Sequence, residues 1–288
     1  MATEDLKMTF RIGGDMEVFR MGFGAMRICG SGVWGWPTDR EETRDLLCAV
    51  LDLGINLIDT ADAYGPETSE YMISDALAPY PDDLVVATNG GLVRGGPGDW
   101  KPDGRPDHLR RALANSLRRL ELECIPLYQL HAVDPAVGIE ASVETLAGAQ
   151  QEGLIRHIGL SNVTVEQLEA ALRIVPIATV QNRYNLRHRV HEPVLEFCEK
   201  HKIGFIPWYP LDTGNLAEEE DSVLSRIAAD QDATTAQIAL AWLLYRSPVM
   251  LPIPGTSSVE HLEDNFDAAE LHLSTEEVEA LSALGLDG

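Results

Sequence analysis

Long apolar runs are missing from this sequence. No stretch of its 288 residues approaches the roughly 18–20 apolar residues that cross a bilayer. Positive charge is scarce, with 22 Lys and Arg against 46 Asp and Glu and a net charge of −24. An acidic surface of that size repels phosphate backbones and anionic lipid, so neither nucleic acid nor a membrane is expected as a partner. Cysteine is sparse as well. Cys29, Cys48, Cys124 and Cys198 are scattered and form no CxxC pair. They read as reduced thiols in a cytoplasm rather than as a disulfide framework, and no metal site is expected. The N-terminal MATEDLKMTF has neither the basic start nor the apolar stretch of a signal peptide. No Ser/Gly tract, proline-rich spacer or charge block marks a linker, so residues 1–288 are expected to form one domain.

Several motif classes are absent too. Gly22-Phe23-Gly24 lacks the third glycine of a dinucleotide fingerprint, because position 27 is Arg. There is no P-loop. His191-Glu192 starts a zinc-protease pattern that fails at Leu195, and Gly159-Leu160-Ser161 starts a nucleophile elbow that fails at Val163.

What the chain does have is a recurring unit: a short apolar run, a loop, then a helix-period segment. Residues 8–20 read as a hairpin around Gly13-Gly14-Asp15. Candidate buried strands follow at 21–24, 55–59, 84–88, 127–131, 157–160, 179–182, 204–208 and 250–253. Amphipathic stretches at 41–53 and 107–120 repeat apolar residues at helical spacing, and Thr164–Gln167 and Ser274–Glu277 have the spacing of capping boxes. Eight buried strands alternating with helices point to an α/β fold, a (β/α)8 TIM barrel with an N-terminal β-hairpin.

In such a barrel, function gathers where strands end on the carboxyl side. Those ends read Asp59-Thr60-Ala61-Asp62-Ala63-Tyr64-Gly65, Thr88-Asn89-Gly90, Gln129-Leu130-His131, Ser161-Asn162, Gln181-Asn182, Trp208-Tyr209-Pro210-Leu211 and Pro254-Gly255-Thr256. Taken singly, a strand-terminal Asp is most often a helix cap and a lone His a structural hydrogen-bonder. Converging on one rim, they form a candidate site.

The segment GINLIDTADAYG resembles the signature of the aldo-keto reductases, and YQLHAVDP, GLSNV, FIPWYPL and LPIPGTSSVEHLEDN resemble further blocks of that family in the same order. The likeness runs from Arg20 to about Leu284 and is closest to a compact bacterial branch. It implies an oxidoreductase that binds a nicotinamide cofactor, NADP ahead of NAD, and reduces a small carbonyl substrate. By the resemblance, Tyr64 is the general acid, Asp59 the carboxylate that normally pairs with a lysine to tune it and His131 the residue that orients the carbonyl. The resemblance also assigns cofactor contacts to Gly24, Met26, Ser161, Asn162, Gln181, Trp208, Tyr209, Pro210, Leu211, Gly255, Ser257, His261, Asp264 and Asn265.

The chain departs from the family pattern at three places. The active-site lysine of the family block Ala-Thr-Lys-Gly is Asn89 here, which can donate a hydrogen bond to Tyr64 but carries no charge. Ala132 follows His131 where close relatives commonly have Arg, and His261 stands where Arg is common against the adenosine 2′-phosphate. Two alternatives stand beside the reductase. One is a cofactor-binding barrel doing lyase or epimerase chemistry or sensing the cofactor. The other is a hydrolase using Asp59, Asp62 and Glu67.

Overall fold

The computed structural model describes residues 6–211 and 222–284. The chain opens with the expected hairpin, β1 (Thr9–Ile12) antiparallel to β2 (Met16–Phe19). Its turn requires glycine. Gly13 and Gly14 both have positive φ, and a side chain on Gly13 would run into the His157 ring. Asp15 in the same turn reaches Arg156 and His157 at 2.8 and 2.6 Å, which ties the hairpin to the main sheet.

That sheet is parallel and runs β3 (Phe23–Gly24), β4 (Leu57–Ala61), β5 (Val85–Gly90), β8 (Ile125–Leu130), β9 (Ile155–Ser161), β10 (Thr179–Arg183), β11 (Gly204–Trp208), numbering through an inserted pair described below. Helices α1 (Arg40–Asp52), α2 (Thr68–Leu77), α3 (Pro106–Arg119), α4 (Ile139–Gln151), α5 (Val165–Leu172) and α6 (Glu192–His201) link successive strands. After β11 come α7 (Val223–Asp230) and α8 (Thr235–Arg246), then α9 (Val259–Asp267) and α10 (Thr275–Ala283). The two expected capping boxes are present at α5 and α10, and a third, Thr234–Gln237, starts α8.

Residues 250–253, the expected eighth strand, are not a full ladder strand. Pro252 and Pro254 remove donors that a continuous ladder needs. The segment still bonds to both neighbours. Phe205 N donates to Val249 O and Leu251 N to Phe205 O, each at 2.8 Å, while Gly22 N donates to Pro252 O at 2.9 Å and Gly24 N to Pro254 O at 3.4 Å. The ring therefore closes between β11 and β3, and the α/β barrel stands with a proline-interrupted eighth stave.

Strand alternation sorts the side chains. Ile58, Val86 and Tyr128 face the helices, whereas Leu57, Val85, Leu127, Ile206 and Leu251 fill the lumen with Ile12, Met16 and Val18 of the hairpin as a plug. Further along, the inward positions turn polar at Asp59, Asn89 and Gln129. This step from an apolar layer to a polar one leaves the carboxyl rim as the open end of the barrel.

Arg20 holds the sealed end. It is buried, and its guanidinium donates to the carbonyls of Lys7, Leu244, Ser247 and Met250 at 2.5–3.1 Å. Burial lowers its pKa to about 10, still far above neutrality. Arg20→Ala should cost about 2–4 kcal/mol of unfolding free energy, because buried carbonyls lose their donors. Urea denaturation measures this, and a loss below about 0.5 kcal/mol would show that these bonds do not clamp the segment.

Candidate active site

The polar layer is built by the same alternation. Asp59, two residues past Leu57, faces Asn89, two past Ala87, and Gln129, two past Leu127. Asn89 Nδ2 donates to both Asp59 oxygens, at 3.1 and 3.3 Å, and to Thr60 O at 2.6 Å. Gln129 Nε2 donates to Asp59 Oδ2 at 2.8 Å and to Asn89 Oδ1 at 3.3 Å. Gln129 Oε1 accepts from the Thr179 hydroxyl at 2.9 Å. Gly159 makes room for this chain, since a Cβ there would overlap Thr179 and crowd Gln129. The amides therefore run from β10 through β8 and β5 to the carboxylate on β4.

This arrangement corrects one expectation. The Asn89 amide is spent on Asp59 and on a backbone carbonyl, and it makes no hydrogen bond to Tyr64. Asn89 is fully buried below the cleft floor and does not line it. A short amide reaches only its neighbours on the strand tips, whereas a four-carbon lysine stem extends further.

With no cation beside it, buried Asp59 is pushed up to about 7, desolvation outweighing the amides that favour its ionised form. Burial, followed by the nearby Asp59 charge, holds the Tyr64 phenol well above its usual range. Burial lowers His131 to about 4, so its imidazole is neutral at physiological pH. The rings of Tyr64 and His131 meet edge-on at 5.8 Å, and Trp100 packs against both, at 6.2 and 6.5 Å. His131 Nδ1 is buried without a hydrogen-bond partner.

Trp100 is delivered by a hairpin the sequence did not reveal, β6 (Leu92–Gly96) and β7 (Asp99–Pro102). Its signal was the Gly95-Gly96-Pro97-Gly98 turn, flanked by runs too short to show alternation. Arg94 lies 3.5 Å over the Trp100 ring and 5.4 Å from that of Trp34, and donates to the carbonyls of Val33 and Ala63. Trp34 and Trp36 sit outside the cleft, and Trp36 stacks under Arg40.

A cleft of about 930 Å³ opens above these groups. Every residue assigned by resemblance lines it except Asn89: Asp59, Tyr64 and His131 on the floor, Gly24 and Met26 on one wall, Ser161, Asn162, Gln181 and Trp208–Leu211 on another, and Gly255, Ser257, His261, Asp264 and Asn265 at the far end. Asn162, held at positive φ, is the hub of its wall. Its Nδ2 donates to His131 O and to the Ser161 hydroxyl, and its Oδ1 accepts from the Trp208 indole at 3.0 Å. The cleft also takes in Arg27, Leu92, Trp100 and Thr234–Ala236, which the sequence did not assign as contacts.

The carboxylates of the hydrolase alternative separate. Asp62 and Glu67 do not line the cleft. They lie behind it with Arg119, whose guanidinium is 2.6 Å from Glu70 and 3.1 Å from Glu67. Burial, then the Glu70 charge, raises the Asp62 pKa. Among the described residues no cluster of His, Cys, Asp and Glu is arranged to hold a metal ion.

The Asp59 site has a stability signature. A carboxyl raised from its ordinary 3.8 to about 7 is harder to ionise folded than unfolded, so the fold loses stability as pH climbs from about 4 to 7, and the loss is complete above that. Asp59→Asn should therefore unfold less readily than the parent at pH 8, by about 1–4 kcal/mol, and the difference should shrink toward pH 4. Chemical denaturation at the two pH values checks this; a pH-independent difference would refute the buried, unpaired carboxylate.

Residues 20–285 match the model of the aldo/keto reductase family. An uncharacterized oxidoreductase of Schizosaccharomyces pombe is 51% identical over 263 residues, 91% of this chain and 85% of that protein. The pyridoxine 4-dehydrogenase of Escherichia coli is 43% identical over 277 residues, 94% of this chain and 96% of its own length. The crystal structure of an aldo-keto reductase from Klebsiella pneumoniae in complex with NADPH superposes with a TM-score of 0.82 at 28% identity, covering 97% of this chain and 95% of the other. The barrel, its rim and these likenesses agree: the chain belongs to the aldo/keto reductase family.

Proposed function

We propose that this chain reduces an aldehyde to an alcohol with NADPH bound in the cleft, and that its substrate is a neutral aromatic aldehyde of the pyridoxal type. One observation carries the reading: Tyr64 and His131 meet ring to ring in the cleft that Asp59 also lines. The residues present also fit the cofactor. Gln181 Nε2 is a buried donor without a partner beside Ser161, Asn162 and the Trp208 indole, as a nicotinamide carboxamide requires. Gly24 and Gly255 lie on neighbouring staves so close that a Cβ on either would stand 2.6 Å from a carbonyl oxygen of the other segment, and both leave bare backbone lining the cleft.

When bound, the dinucleotide supplies the hydride. Tyr64 gives its proton to the carbonyl oxygen; burial keeps the phenol protonated at neutral pH and makes it a weaker acid than a free phenol. Neutral His131 hydrogen-bonds the same oxygen and aligns it. Asp59 makes loss of the Tyr64 proton costly, and Asn89, being neutral, does not offset that cost.

The pyridoxine 4-dehydrogenase relative and the aromatic wall of Trp100 support the substrate class. Among the described residues no Lys or Arg lines the cleft beside Tyr64, His131 and Trp100, and Arg94 on the Trp100 ring is spent on the carbonyls of Val33 and Ala63, which favours the free aldehyde over a phosphate ester. Four cysteines without disulfides favour a reducing, cytoplasmic setting. The uncharged Asn89 supports a second reading, a barrel that binds the cofactor for non-reductive work.

Two measurements test this. NADPH should quench tryptophan fluorescence, and Trp208→Ala should remove most of the quench; no binding of NADPH or NADH at millimolar concentration would overturn the cofactor reading. Asn89→Lys should raise pyridoxal reduction at least tenfold, about 1.4 kcal/mol of barrier, by placing a cation between Asp59 and Tyr64. Tyr64→Phe should erase that gain. An Asn89→Lys variant that binds cofactor yet reduces no aldehyde would favour the second reading.

A further inference from the structure

Among the described residues the cleft is lined by a single permanently charged cation. Arg27 is the only Lys or Arg among the described residues that line it, and the segments 1–5, 212–221 and 285–288 contain no Lys or Arg at all. The block that closes the far end, residues 255–265, has none either. A dinucleotide enters with two or more negative charges, onto a chain of net charge −24 whose cleft also holds Asp59 and Asp264. A cation near its phosphates favours such a ligand.

Arg27 stands where that cation is required. It lies in the single 3₁₀ turn (Ala25–Ile28) that follows β3, and its Cγ is 3.9 Å from the point where a Gly255 Cβ would be. Its stem thus passes beside the glycine that opens the far-end block, two residues before Ser257. Arg183, at the end of β10, lies 6.0 Å from the Trp208 ring and does not line the cleft, and three other arginines around the barrel are committed. Arg20 and Arg94 bind carbonyls, and Arg119 binds Glu67 and Glu70. Arg27 is exposed and makes no hydrogen bond or ion pair with a described residue.

We propose that Arg27 is the phosphate-binding cation of the cofactor cleft, supplying from the β3 wall the positive charge that the 255–265 block lacks. This rests on the NADPH reading above. A guanidinium presents paired donors to phosphate oxygens, so it holds one phosphate bidentately where an ammonium offers a point charge.

The test is calorimetric titration of the whole chain, its Arg27→Gln variant and its Arg27→Lys variant with NADPH and with NADH. Arg27→Gln should raise the NADPH Kd at least tenfold and flatten its dependence on salt, and Arg27→Lys should recover part of the affinity. A loss confined to NADPH assigns Arg27 to the 2′-phosphate; an equal loss for NADH assigns it to the pyrophosphate. An unchanged Kd for both cofactors in Arg27→Gln, with thermal unfolding like the parent's, overturns the proposal while leaving the cofactor reading intact. Failure of the parent chain to bind either cofactor removes that reading and the proposal with it.

Discussion

The active end of this barrel depends on one carboxylate held by amides. Asp59 receives Asn89 and Gln129, and Gln129 is in turn fixed by Thr179, so a single hydrogen-bonded chain ties the tips of four strands. In a buried setting each of those bonds counts for more than in water, and each unmade one costs more. No positive charge enters the chain. The result is a carboxyl poised near neutrality beside a phenol that stays protonated, an electrostatic situation different from one in which a lysine neutralises the acid.

The remainder of the fold serves that layer. Inward positions along each strand are apolar at the hairpin end and polar at the rim, and the hairpin fills the lumen below. Arg20 fixes the carbonyls around the proline-interrupted stave, so the ring stays closed where a regular ladder is missing. Because the bottom is sealed and the top is not, ligands have access only from the side where Asp59, Tyr64 and His131 converge. The Asn162 hub then joins the His131 strand end to the Trp208 wall.

Much of this was legible in the sequence, for physical reasons. Buried parallel strands write continuous apolar runs, and capping boxes write fixed spacings, so the barrel and the ends of α5 and α10 could be read directly. The rim residues could be read because each immediately follows a run. What could not be read were matters of reach and of partner. Residues 250–253 have the composition of a strand, but Pro252 within them and Pro254 just after deny them a ladder. Asn89 can donate to either Tyr64 or Asp59, and only the register of β4 on β5 shows that it takes Asp59. Gln129 could be read as a rim residue, but its bonds to Asp59 and Thr179 follow only from its alternation with Leu127, which places it inward. Arg27, 228 positions before Gly255 in the chain, meets it only because the ring closes.

The central claim is that Asp59 is buried among neutral donors alone. Carbon-13 NMR of aspartate-labelled protein, with the Asp59 carboxyl signal identified by its loss in Asp59→Asn, reads that ionisation directly. A titration midpoint near pH 7 is expected from burial without a cation. A midpoint at or below pH 4 would contradict the account, because it would require a positive partner or full solvation at the heart of the site.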